Sequence, residues 1–116
     1  MDYLEDFLDY MSVQKHYSIH TIKRYQKDIL DFHSFITSEE LAEDLLDATR
    51  ERLARHFISY LDEKQLSKKT ISRKISALRS FYDYLLKNHM IDINIFEAVQ
   101  APKIPKKLPS IINDEE

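Results

Sequence analysis

Two stretches of this chain concentrate cations and hydroxyls in a pattern suited to holding phosphate. The first reads Ser18-Ile19-His20-Thr21-Ile22-Lys23-Arg24, and the second Ser67-Lys68-Lys69-Thr70-Ile71-Ser72-Arg73-Lys74. Each begins with a serine where a helix can start and places basic residues in the first two turns. The free N–H groups of a helix N-terminus carry partial positive charge and suit an anionic oxygen. Lysine and arginine on those turns add screened attraction and, against a polyanion, counterion release. Cations at an N-terminus oppose the helix dipole, so an anionic partner compensates a local cost. In the second stretch and beyond it, cations alternate with Ser72, Ser76, Ala77 and Ser80. Small side chains let a helix approach a groove wall while Lys69 and Arg73 reach phosphates or base edges. Set against this is the plain reading of both faces as solvated helix surface.

Other chemistry finds less support. His16, His20, His33, His56 and His89 do not pair with carboxylates at a metal-ligand spacing, so neither a metal nor a cofactor is expected. The chain has 7 tyrosines, which invites a nucleophile hypothesis. None stands with the cluster of Arg and His that phosphoryl transfer needs, so no catalytic residue is assigned within the chain. Phe81, Tyr82 and Tyr84 read as core rather than as a platform for stacking bases. There is no Cys, which excludes a disulfide framework and a thiol nucleophile and accords with a reducing, cytoplasmic setting. No run approaches the length of a membrane span, and the acidic start, Met1 to Asp6, is not a signal peptide.

The elements that must position the basic stretches are helical. With 116 residues, 43% hydrophobic residues and no glycine, the chain suits one all-α domain and disfavours tight β-hairpins. Periodicity predicts a helix over 2–15 built on Leu4, Phe7, Leu8 and Met11. A second over 19–37 is capped by Ser18 and carries Ile22, Tyr25, Ile29, Phe32 and Ile36. An acidic connection, 38–48, leads to a third over 50–63, capped by Thr49, with Leu53, Phe57, Ile58 and Leu61 inward. The fourth covers 68–89, capped by Ser67, with Ile71, Ile75, Leu78, Tyr82 and Leu85 on its stripe. On that helix Lys69 and Arg73 are placed on the outward face and Lys74 beside it. A short fifth helix is expected after Asn94, carrying Phe96 and Val99. Pro102, Pro105 and Pro109 make 101–116 an extended linker, so the domain is set at 1–100. No internal repeat is evident.

The net charge of −3 hides a strong segregation. Residues 64–88 carry +6, whereas 37–63 carry −5 and 1–16 carry −3. A local basic patch matters more to phosphate binding than the sum does. The competing reading is a helical protein-interaction module that works through acidic helices one and three.

The residues also resemble a known family. Ser18 to Phe32 resembles the tyrosine-recombinase pattern Ser-x-x-Thr-x-x-x-Tyr-x-x-Asp-(Leu/Ile)-x-x-Phe, met here by Thr21, Tyr25, Asp28, Ile29 and Phe32. The run Leu66-Ser67-Lys68-Lys69-Thr70-Ile71-Ser72-Arg73-Lys74-Ile75-Ser76-Ala77-Leu78-Arg79-Ser80-Phe81-Tyr82 is similar to the longer second signature of that family. Asn94-Ile95 stands where the family commonly has Asn-Pro, a departure. The resemblance covers about residues 3–112 and is strongest to the Xer recombinases. It implies a SAM-like core-binding domain of four main helices in two crossed hairpins, one half of a C-shaped clamp on double-stranded DNA. By motif position it implies DNA contacts from Thr21, Lys23, Arg24, Lys68, Lys69, Thr70, Arg73 and Lys74. Neighbouring protomers of a synaptic tetramer are implied partners through helix one and the short fifth helix. The implied chemistry is strand exchange through a phosphotyrosine, without metal or nucleotide, in a catalytic domain expected to follow the linker.

Overall fold

A computed structural model describes residues 2–97 and Val99. Among these the elements are α1 (Asp2–Val13), α2 (Ile19–Ser38), a 3-10 turn (Leu45–Asp47), α3 (Glu51–Glu63) and α4 (Lys68–Lys87), with no strand. The expected linker, 101–116, lies outside the described residues.

The helix starts follow from their caps. Ser18 and Ser67 are extended, at φ −67°, ψ 159° and φ −65°, ψ 153°. Each hydroxyl oxygen accepts from the amide of a threonine three residues on, Thr21 at 3.2 Å and Thr70 at 3.1 Å. Each serine hydroxyl also donates to that threonine's Oγ1, at 3.1 Å and 2.9 Å. The third helix departs from expectation. Arg50, not Thr49, holds the cap position, and no side chain caps it. Thr49 lies one residue too early for its oxygen to reach the first free amides, which belong to residues after Glu51.

The helix ends share a device that the sequence hides. His16, Glu40, Gln65 and His89 have φ of 58°, 57°, 63° and 61°. In each case the next residue is apolar and returns a backbone bond to the helix: Tyr17 to Met11, Leu41 to Ile36, Leu66 to Leu61 and Met90 to Leu85. This is left-handed C-capping made without glycine. The order helix, left-handed residue, apolar residue, serine cap, helix therefore occurs twice. It produces two hairpins, α1–α2 and α3–α4, whose second helices are each 20 residues long. The repeat is one of geometry.

The hairpins meet through α2 and α4. Phe32 sits at the centre, fully buried. Its ring meets Phe57 of α3 at 5.1 Å, Tyr82 of α4 at 6.2 Å and Phe96 at 5.1 Å, all edge-on, the arrangement aromatic quadrupoles favour. Tyr82 is fully buried, and its hydroxyl donates to the Leu45 carbonyl at 2.7 Å, tying the 3-10 turn to α4. The Tyr3 hydroxyl donates to Asp44 and anchors α1 to the same connection. The predicted stripes hold for α4 throughout, while Ile22, Tyr25, Ile58 and Leu8 are half-buried and Phe35 joins the core.

The expected fifth helix is a turn at 95–97 in the described residues. Asn94 Oδ1 accepts from the Phe96 amide at 2.9 Å, and Asn94 Nδ2 donates to the Arg79 carbonyl at 3.1 Å. Arg79 in turn donates to the carbonyls of Phe96 at 3.0 Å and Val99 at 2.8 Å. The segment is thus latched to α4 and buries Ile95, Phe96 and Val99.

Candidate nucleic-acid interface

Crossing α2 over α4 brings the two basic stretches to one groove. Thr21, Arg24, Tyr25 and Asp28 line one wall, and Arg73, Ser76 and Ala77 the other. The small residues keep the groove open beside the arginines. Lys23 and Arg24 on α2, and Lys68 and Lys69 on α4, are exposed. Among the described residues no ion pair engages these four. Thr21 and Thr70 are half-buried and complete the caps just described. Lys68 and Lys69 therefore sit on a capped first turn and Lys23 and Arg24 on the second turn of α2, where N–H dipoles and side-chain charge add.

Lys74 is the exception among the expected contacts. Its side chain is only 7% exposed, and its ammonium lies 3.0 Å from Asp28 and 2.6 Å from Asp31. The expectation placed it beside the outward face; the helix crossing turns it under α2, where two carboxylates hold it. Burial of an amine requires such pairing, because an isolated ammonium in an apolar setting is costly.

Asp28 is the residue that sequence reasoning left without a role. Its side chain is 2% exposed and accepts from two cations, Lys74 and Arg73, the latter at 2.7 Å from Nη1. Arg73 itself is 39% exposed, so its guanidinium has one side on Asp28 and another toward the groove mouth. Asp31 carries Lys74 and, at 3.3 Å, the exposed Lys27. Burial alone raises the Asp31 carboxyl, but the bond and charge of Lys74, with Lys27 beyond, hold it below its ordinary value of 3.8. The signal available in sequence was an Asp at the inward edge of α2, three residues before another.

The remaining surface sorts by sign. Glu5, Asp6 and Asp9 are exposed on α1. The third helix is not uniformly acidic: Arg52, Arg55 and His56 are exposed on its first half, Asp62 and Glu63 at its end. Most acids of the −5 segment lie in the connection before it. Among the described residues no three His, Cys, Asp or Glu gather as metal ligands, and no helix is long and apolar enough to cross a membrane.

Residues 4–89 match the family model described as phage integrase, N-terminal SAM-like domain. The chain belongs to that family. Relatives agree with the assignment of this SAM-like domain. The chain is 40% identical over 116 residues to a tyrosine recombinase XerC of Pediococcus pentosaceus, and 38% identical over 117 residues to one of Staphylococcus aureus strain USA300. Each alignment covers 100% of this chain and 38% of the relative, so the chain spans well under half of the curated relatives it matches. It is an XerC-like N-terminal domain, all-helical, in accord with the fold expected from the sequence. No solved structure matches it.

Proposed function

We propose that this SAM-like domain grips duplex DNA as part of an XerC-like tyrosine recombinase. The observation that carries the reading is the groove shared by Thr21, Arg24 and Arg73, flanked by the exposed Lys23, Lys68 and Lys69 at two capped helix starts. The arrangement offers N–H dipoles and cations to phosphates from two helices at once, with small residues between them for close approach. Thr21, Lys23, Arg24, Lys68, Lys69, Thr70 and Arg73 are the proposed contacts, and Lys74 supports them from beneath. For the whole protein we propose strand exchange through a phosphotyrosine, in a tetramer of recombinase protomers, serving resolution of chromosome dimers in the cytoplasm. No step of that chemistry is assigned to residues of this chain.

Titration of the 116-residue chain with duplex DNA at low salt tests the reading. Binding that Lys69→Ala and Arg73→Ala both weaken supports it. Absence of binding, together with a stable complex formed through the acidic face of α1, favours the protein-interaction reading instead.

A further inference from the structure

We propose that Asp28 is a positioning residue for base recognition: it grips one guanidinium nitrogen of Arg73 and aims the remaining donors of that side chain at a guanine edge. The inference rests on the reading that the α2–α4 groove faces duplex DNA, and it names what that groove reads.

Three features carry it. The first is orientation. Asp28 is buried and fixed from its other oxygen by Lys74, so the carboxylate that holds Arg73 cannot swing away with it. A guanidinium has five N–H donors in a rigid fork, and one bond to Asp28 leaves four of them available in a defined plane. The second is charge. Lys27, Asp31, Lys74, Asp28 and Arg73 form one network of net charge +1, with the exposed Lys27 at its outer end and the buried Asp28 carboxylate directly against Arg73. Arg73 therefore has little net charge to offer a phosphate, and what it retains is directed hydrogen bonding. The exposed Lys23, Lys68 and Lys69 have the opposite character, full charge without fixed direction. The third is access. Ser76, one turn after Arg73, and the neighbouring Ala77 leave room for a base edge to approach the fork. A bidentate arginine is the commonest reader of the guanine O6 and N7 acceptors in the major groove.

The test uses duplexes selected from a randomised pool by the unaltered full chain. Affinity is measured for the selected duplex and for its single base-pair replacements, with melting temperature recorded for every variant. Asp28→Asn is expected to weaken binding to the selected duplex about fivefold to tenfold. It should also flatten the preference at the same base pair that Arg73→Ala flattens. In the Arg73→Ala background it should add less than about a twofold loss, since it acts through that side chain. The salt dependence of Asp28→Asn stays that of the unaltered chain, because no phosphate contact is lost. Arg73→Lys, a change at an accessible position, keeps the charge and loses the fork, so it should reproduce the Asp28→Asn profile even if the buried variant folds poorly. Equal loss from Asp28→Asn in both backgrounds overturns the inference in favour of a general structural role. Tighter binding with steeper salt dependence overturns it in favour of Arg73 as a masked phosphate contact. A pool that yields no preferred sequence overturns the claim of base reading. Failure of the unaltered chain to bind any duplex removes the underlying reading, and is told apart because it precedes every variant.

Discussion

The ammonium of Lys74 lies 3.0 Å from the carboxylate of Asp28, and both side chains are shut away from solvent between α2 and α4. The pair divides the basic residues of α4 into two kinds. Lys74 holds the helices in register, whereas Lys68 and Lys69 are exposed on the surface. Lys74→Met should cost about 3 kcal/mol, because Asp28 and Asp31 are left short of a buried counter-charge. Lys69→Ala should change stability by less than about 0.5 kcal/mol, as exposed substitutions away from special contacts do. Urea denaturation of the two variants measures the contrast.

Acid should weaken the same junction. The Asp31 carboxyl is held below 3.8 in the folded chain, chiefly because Lys74, with help from Lys27, outweighs the effect of burial. A depressed carboxylate contributes stability that is present above its unfolded value and lost as pH falls through the folded one. The stability gap between the parent chain and Asp31→Asn should therefore be widest near neutrality and should close below about pH 4. Denaturation midpoints of both chains from neutral to acid pH test this, and a gap independent of pH would rule out the ion pair as its source.

Left-handed residues offer room for stabilisation. Gln65 and His89 are exposed at φ 63° and 61°, in a chain without glycine. That backbone region costs a residue with a β-carbon roughly 1 kcal/mol or more, while glycine loses more freedom on folding. Gln65→Gly and His89→Gly should each raise stability by a few tenths to about 1 kcal/mol. Thermal melts of the single and double variants give the increments, which should add because the sites lie at different helix ends.

The latch after α4 should depend on Phe96. Its ring is buried against Phe32 and Tyr82, and Arg79 holds its carbonyl. Phe96→Ala should cost about 3 kcal/mol through the cavity it leaves. Amide exchange should then quicken at Phe96 and Glu97, whose N–H groups bond to Asn94, while the Ser18 cap at the far end of α2 keeps its protection.

Much of this was legible in the residues themselves. Ser18 and Ser67 announce their helices because a serine oxygen satisfies a free amide locally, with no help from the rest of the fold. The α4 stripe from Ile71 to Leu85 is legible for a similar reason, since one helix fixes its own period. Lys74 was not, because its burial depends on which residues of α2 cross above it. Asp28 and Asp31 meet it across more than 40 positions of chain. The segment after Asn94 is described only as a turn at 95–97, and its latch was not legible because Asn94 also donates to Arg79, a contact made across 15 positions of chain. The left-handed ends escaped notice because none of them is glycine, the usual mark of that conformation.

The central claim is that two capped, basic helix starts hold duplex DNA by its phosphates. The most direct test is the slope of log affinity against log salt for the 116-residue chain and for Lys69→Ala. The account predicts measurable binding at low salt, a steep negative slope, and a slope reduced by about one in the variant. Absence of binding at low salt, or one slope shared by both chains, would contradict it.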